Sequence, residues 1–304
     1  MSAKVLCVGA AVLDTLYRVA SLPKGDGKTV ASDMLQIAEG MAASAACAVA
    51  RLGGAASLWS AYGDDADGAR IKSQLEAEGL DLSGARQVRG ARSAQSTILI
   101  DEEGQRQITV FYDPSLHAEP RPVHRDEIAA FAAVLVDVRW PDLAEAVLIH
   151  AKALGIPAVL DGDVAPSAVL ERLAAQASEI VFSEPAAQSL SGETAPEPVL
   201  RALARKLGHE AFCVTFGAEG SYWLEAGRLR HQPALKVTAV DTLAAGDAFH
   251  GGFALARAEG QSFADAIRLG TVTAALKCQV FGGRKGMPSR AEAEAALTQL
   301  TAAT

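Results

Sequence analysis

Paired cysteines are the first thing this chain lacks. Its four, Cys7, Cys47, Cys213 and Cys278, stand far apart with no C-x-x-C among them. That spacing argues against a disulfide framework or a thiolate metal centre and for buried free thiols in a reducing compartment. Positive charge is scarce as well. Lys and Arg number 28 against 36 Asp and Glu, a formal net charge of −8. A nucleic-acid partner would call for a basic patch, so none is expected; a small anionic molecule stays open, because a few local cations suffice. No apolar run reaches the length that spans a bilayer. The opening "AKVLCVGAAVLD" imitates a signal peptide briefly, but Asp14 interrupts it and Arg18 follows. It reads better as a first buried strand, and the expectation is a cytoplasmic protein with no membrane partner. Two phosphate fingerprints are missing too. "VGAAVLD" stands where a dinucleotide turn would carry G-x-G-x-x-G, which weakens a nicotinamide-cofactor reading. "GDGKTV" (25–30) contains Gly-Lys-Thr, but Leu22 occupies the position where a P-loop needs its first glycine, and no helix follows.

What is present is a long apolar chain with a clear rhythm. Half of its 304 residues are hydrophobic, enough to bury a sizeable core. Short apolar runs at 4–9, 57–63, 133–138, 156–161, 179–183 and 211–216 read as buried strands. Helical patterns at 43–53, 65–79, 141–154, 166–177 and 195–207 separate them. Buried strands alternating with helices predict an α/β fold: a doubly wound, mostly parallel sheet with helices on both faces. Residues 15–38 and 95–112 break the rhythm. They read as extended segments and a hairpin turning at "DEEG", and predict a small β-lid, discontinuous in sequence, within a single domain spanning 1–304. From residue 246 the pattern is helical, over 246–259, 262–278 and 289–301.

One stretch carries chemistry. "DTLAAGDAFHGGFA" (241–254) puts small residues and two carboxylates where a helix begins. The first amides of a helix have no intrahelical partner, so Ala244, Ala245, Gly246 and Asp247 would present N–H groups to an anion. Phosphoryl transfer needs such a cradle and a group to take the acceptor's proton, and Asp247 is placed for that. A lone Gly-Asp is more often an ordinary helix cap.

The wider pattern outweighs that. "VDTLAAGDAFHGGFALA" resembles the second signature of the ribokinase/PfkB family of carbohydrate kinases. "EGMAASAACAVARLGG" (39–54) resembles its first signature, "YGDDADGARIKSQLEAEGLD" (62–81) its G-D-D segment, and "VTFGAEGSY" (214–222) its nucleotide-side turn. They occur in family order over nearly the whole chain. The resemblance implies a ribokinase-like fold and ATP-dependent phosphorylation of a sugar hydroxyl, with Asp247 as base and Ala244, Ala245 and Gly246 as anion hole. It implies that Asp14 and Gly40 bind the sugar and that Thr215, Gly217 and Gly220 line the nucleotide site. Glu184 would help hold Mg²⁺ through water. Loops near Asp241 and 278–283 often hold a monovalent cation in this family, which would be K⁺. A homodimer pairing through the lid is implied as well.

The acceptor is less determined. Ser44 stands where the first signature usually has Asn, and Glu39 replaces a glycine, both on the sugar side. "DVRWPD" (137–142), "VLDGDVAP" (159–166) and "AALKCQVFGGRKGMP" (274–288) resemble the sulfofructose kinase branch. That implies phosphorylation of 6-deoxy-6-sulfofructose at O1, with Lys28 and Arg139 as candidate sulfonate ligands. Phe111 stands where that branch would offer a polar Asn, and it cannot donate a hydrogen bond. Phe111 or Trp140 could stack on an apolar sugar face. A neutral or phosphorylated sugar or a nucleoside stays open, as does a non-catalytic sugar- or nucleotide-sensing module on the same fold.

Overall fold

Val5, Leu6, Cys7 and Val8 are all fully buried, and the strand they belong to, β1 (Lys4–Val8), is hydrogen-bonded along both edges. A computed structural model describes residues 2–119 and 121–302; residues 1, 120, 303 and 304 lie outside the described residues. After β1 come β2 (Val12–Arg18), β3 (Asp33–Glu39), α1 (Met41–Arg51), β4 (Ala55–Trp59), β5 (Ala61–Gly63) and α2 (Ala66–Ala77). Then follow β6 (Arg86–Val88), β7 (Gln95–Ile100), β8 (Arg106–Phe111), the short α3 (Arg125–Ile128), β9 (Ala133–Val136) and α4 (Pro141–Leu154). The second half runs β10 (Ala158–Gly162), α5 (Ser167–Ala174), β11 (Glu179–Ser183), α6 (Glu184–Ser191), α7 (Pro196–Leu207) and β12 (Phe212–Thr215). It ends with β13 (Ser221–Glu225), β14 (Arg228–Gln232), α8 (Ala245–Ala258), α9 (Phe263–Lys277) and α10 (Arg290–Ala302).

The main sheet has eight strands in the order β14-β13-β12-β11-β10-β9-β1-β4. From β4 to β12 every pairing is parallel, as helical crossovers between buried strands require. Successive side chains of β1 enter different cores. Leu6 and Val8 join one with Leu143, Val147, Leu170 and Leu200. Val5 and Cys7 join the other with Val49, Phe253, Leu255 and Val272. Helices therefore cover both faces, and the doubly wound architecture is the one the alternating pattern predicts. The chain winds outward from β1 to β4 and then back across β9 to β12, so its direction reverses between β1 and β9. A ligand crevice is expected outside the carboxyl ends of the strands at that point.

The sequence pattern differs from the structure in a few places. The run 57–63 is not one strand. It breaks at buried Ser60, leaving β4 in the main sheet and β5 paired with β6. The antiparallel β13–β14 hairpin and helix α6 carry no separate signal in the pattern and were not anticipated. Residues 15–38 form two antiparallel strands joined by an irregular loop over 19–32. With β7 and β8 they make a second, four-stranded sheet ordered β3-β2-β7-β8, which begins at Val12 rather than residue 15. Its own small core is Leu16, Ile37, Ile98 and Ile100, against which Leu35, Leu243 and Phe281 pack. No helix among the described residues is long and apolar enough to cross a membrane.

Candidate active site

The turn into α8 is held by one carboxylate. Asp241 is 1% exposed. Its Oδ1 accepts the Leu243 N–H at 2.8 Å, and its Oδ2 accepts those of Gly282 and Gly283 at 2.9 and 3.0 Å. The chain then passes through Ala244 at φ 59°, ψ 16°, a left-handed conformation that costs a non-glycine residue about 1–2 kcal/mol. Strain of this kind persists where the surroundings impose it, and it clusters at ligand sites. The consequence is an uncapped helix start. No side chain caps α8. Among the described residues, the amides of Ala244, Gly246 and Asp247 have no partner. The Ala245 amide is not free as expected: the left-handed turn folds it back onto the Thr242 carbonyl at 3.3 Å. Gly246 has neither a positive φ nor any atom within 4 Å of where a Cβ would stand, so its missing side chain leaves room for something outside the protein.

That room is a cavity of about 750 Å³. Gly246 lines it beside Thr215, Gly217 and Gly220 of the β12–β13 turn, and Lys236 and Arg106 reach it from further away. Arg106 arrives from β8 of the second sheet, and its Nη1 donates to Thr242 Oγ1 at 2.8 Å. Glu184, at the start of α6, is half-buried, and its Oε1 accepts the Gln188 side-chain amide at 3.0 Å.

On the other side of Asp247 the strand ends deliver a crowd of carboxylates. Burial pushes the Asp247 carboxyl well above the ordinary range, and the neighbouring charge of Asp161 adds to this while His250 opposes it. Asp14 is likewise raised, to about 6, by burial that its Ser96 hydrogen bond (2.6 Å) only partly offsets. Tyr112, just after β8, is 36% exposed overall; desolvation of its phenol is the main reason it is pushed up to about 12, with Arg139 opposing and Asp137, Asp14 and Asp247 adding to the rise. Carboxylates of two sheets and of α8 thus lie close enough to shift one another, and Asp247 among them directly follows Gly246, which lines the cavity.

A family model described as pfkB family carbohydrate kinase matches residues 2–290. The chain belongs to the pfkB family of carbohydrate kinases. It is 30% identical to a ribokinase of Haemophilus influenzae over 278 residues, covering 88% of this chain and 89% of that one. A crystal structure from Agrobacterium tumefaciens, itself only provisionally termed a ribokinase, superposes with a TM-score of 0.96 at 54% identity, covering 99% of both chains. The Arabidopsis thaliana ribokinase complexed with ribose and ATP gives a TM-score of 0.83 at 25% identity, covering 98% of this chain and 99% of that chain.

Within this pfkB kinase several expected sugar ligands lie elsewhere or are already engaged. Ser44 is wholly buried and donates its hydroxyl to Glu39, so it braces a carboxylate instead of facing the site. Arg139 pairs with Asp163 at 3.2 Å and donates to the Val164 carbonyl at 3.1 Å. Lys28 stands exposed in the 19–32 loop. Phe111, at the end of β8, lies under the Arg92 guanidinium at 4.4 Å. Trp140 is 2% exposed and stacks on His117, so it is core and not a sugar platform. Gly40 is the residue before α1 at φ 112°, where a Cβ would overlap the backbone of Ala10. Asp14 sits inside β2, opposite Ile37 and Ser96.

Sequence reasoning missed the residues that build the floor. Asp137 accepts the amides of Ala10 (2.8 Å), Ala42 (3.2 Å) and Arg139 (2.8 Å), so it fixes the reversal point between β1 and β9. Gly9 must be glycine there, because a Cβ would overlap that carboxyl. His250 lies one turn along α8 from Gly246. Its Nδ1 is 2.7 Å from the Gly246 carbonyl, and its Nε2 is 3.2 Å from both the Val181 carbonyl and Asp161 Oδ1. Burial also pushes Asp161 well above the ordinary range, reinforced by Asp163 and Asp137. The available signal was two carboxylates closing apolar runs, in "VLVDV" and "AVLDG".

The strained turn gives a direct test. Ala244→Gly removes about 1–2 kcal/mol of left-handed strain and adds about 0.4–1 kcal/mol of unfolded-chain entropy. The expected result is a protein more stable by about 0.5–1 kcal/mol in denaturant titrations. A loss of stability would mean that the turn is not left-handed in solution.

Proposed function

We propose that this kinase transfers the γ-phosphoryl group of ATP to a hydroxyl of a neutral, polyhydroxylated sugar, with Asp247 as general base. The carrying observation is the juxtaposition at the start of α8: partnerless amides of Ala244, Gly246 and Asp247 beside a carboxyl of raised pKa. Raised basicity is what a proton acceptor needs near neutral pH. Asp247 takes the acceptor's proton as the phosphoryl group moves, and the amides neutralise charge on its oxygens without having to reorganise. ATP occupies the cavity beside Thr215, Gly217 and Gly220; that the Arabidopsis relative was solved with ribose and ATP supports ATP as the donor. Among the described residues no cluster of three or more His, Cys, Asp or Glu could hold a metal. Mg²⁺ fits only as an ion carried in on the nucleotide phosphates and met through water by Glu184; when bound it supplies charge neutralisation.

Asp14 receives sugar hydroxyls, with Gly40 shaping the approach, and the second sheet serves as a lid of the single kinase domain, keeping out water that would compete as acceptor. A neutral sugar is favoured over 6-deoxy-6-sulfofructose because Arg139 is paired with Asp163, Lys28 stands in solvent, and the surrounding carboxylates would repel a sulfonate. Apolar side chains left exposed on the second sheet support pairing with another copy of the chain: Met34 on one face, and Ile108 and Val110 beyond the small core on the other.

Asp247→Asn is expected to lower kcat about 10²–10⁴-fold with an unchanged melting temperature; near-normal turnover would remove Asp247 from the chemistry. A coupled assay over neutral ketoses and pentoses, their 6-phosphates and 6-sulfo analogues should give the highest kcat/KM on a neutral sugar, and a preference for the sulfo compound would reverse that choice. Both working carboxyls have raised pKa values and act ionised, so activity is lost as pH falls. kcat/KM should rise with pH through about 6 as Asp14 ionises, and the raised Asp247 carboxyl should add a limb of its own. Asp14→Asn should delete the first limb, and an unaltered profile would clear Asp14 of that role. Sedimentation of wild type against Ile108→Glu reads the pairing: a dimer that the substitution dissociates is expected, and a monomeric wild type ends that assignment.

A further inference from the structure

Lys277, the last residue of α9, has a fully buried side chain. Lysine is almost never buried unless paired, because removing its charge from water is expensive. Its partner is a single residue. Nζ donates to the Asp241 main-chain carbonyl at 2.7 Å and lies 3.4 Å from Asp241 Oδ2. The same carboxylate takes the amides of Leu243, Gly282 and Gly283. The amides of Val240 and Asp241 in turn donate to the Cys278 carbonyl, at 2.8 and 3.1 Å. Segments 240–243 and 278–283 are thereby stitched around one ammonium. The first of them runs directly into the strained Ala244 and the free amides of α8.

A carbonyl and a carboxylate oxygen from one residue, closed in by a glycine loop, are the hard oxygen donors that a monovalent metal ion selects. The family resemblance places such an ion near these loops. The residues present do not fit one. The donor pair at Asp241 already faces Nζ, and a metal ion on the same oxygens would share them with a like charge at short range. We infer that Lys277 is a tethered replacement for the monovalent cation: its ammonium holds the anion-binding turn, and the enzyme has no need of potassium. Lys277 is a positioning residue, acting through Asp241 on the turn. The covalent link also explains how so buried a charge is retained, since it has no dissociated state to which it can be lost.

The test compares thermal melts and turnover in potassium chloride and in tetramethylammonium chloride, whose cation is too large for the site. Wild type is expected to melt and turn over identically in both. A saturable rise with potassium in wild type would overturn the inference, and this arm needs no variant. Lys277→Ala leaves Asp241 uncompensated and opens space. It should lose on the order of 5–10 °C in melting temperature, with potassium or ammonium, but not tetramethylammonium, restoring part of it. Lys277→Met fills the space without charge, so its loss should resist every cation. A Lys277→Ala loss that no small cation restores, or that all cations restore alike, counts against a cation role. The turnover arm rests on the proposed phosphoryl transfer and the melting arm does not, so an error in the reaction leaves the melting result standing.

Discussion

Asp241 is the residue on which the rest of the site hangs. A buried carboxylate is costly unless its lone pairs are met, and this one meets three amides and an ammonium drawn from two chain segments. The geometry so fixed forces Ala244 into a left-handed turn, and that turn in turn leaves helix-start amides without partners. An unsatisfied amide in a wall of protein is a liability by itself. Here the liability faces a cavity, and Gly246 keeps that cavity clear of side chains.

The carboxylates opposite follow the same economy. Strand ends at the reversal point bring Asp137 and Asp161 into the interior, where burial raises both. Asp137 is stabilised by three amides and acts as scaffold. Asp161 has a histidine instead, with His250 Nε2 3.2 Å from its Oδ1. Glu39, raised to about 7 mainly by burial, is braced by Ser44 and by the Arg284 amide. Crowded acids of this kind keep one another protonated, which is how a carboxyl acquires useful basicity near neutrality.

Much of this was legible in the chain. Helix α4 begins at Pro141 and ends at Leu154 before a left-handed Gly155, as its pattern predicts. Buried strands were legible because an apolar run bounded by glycine or aspartate has few other uses. The partnerless helix start was legible because it is local, a run of small residues at the mouth of α8, although the Ala245 amide folds back onto Thr242 where the pattern had it free. Residues that act through distant partners were not. Nothing near Lys277 in sequence announces Asp241, and "LKCQ" reads as an ordinary helix end. Arg139 and Ser44 looked like sugar ligands because residue type suggests a role while only packing shows whether the group is already spent. The break at Ser60 was invisible because a β-strand that changes sheets keeps its alternation.

The hydrogen bond from Arg106 to Thr242, together with Leu243 and Phe281 packing into the small core of the second sheet, has a thermodynamic corollary. A rigid displacement of that sheet must either break these contacts or carry the Thr242–Leu243 segment with it. The position of the second sheet and the geometry of the helix mouth therefore share one free-energy balance. By reciprocity, any ligand that shifts the sheet must shift affinity at the helix mouth, and a ligand there must shift affinity under the sheet by the same factor.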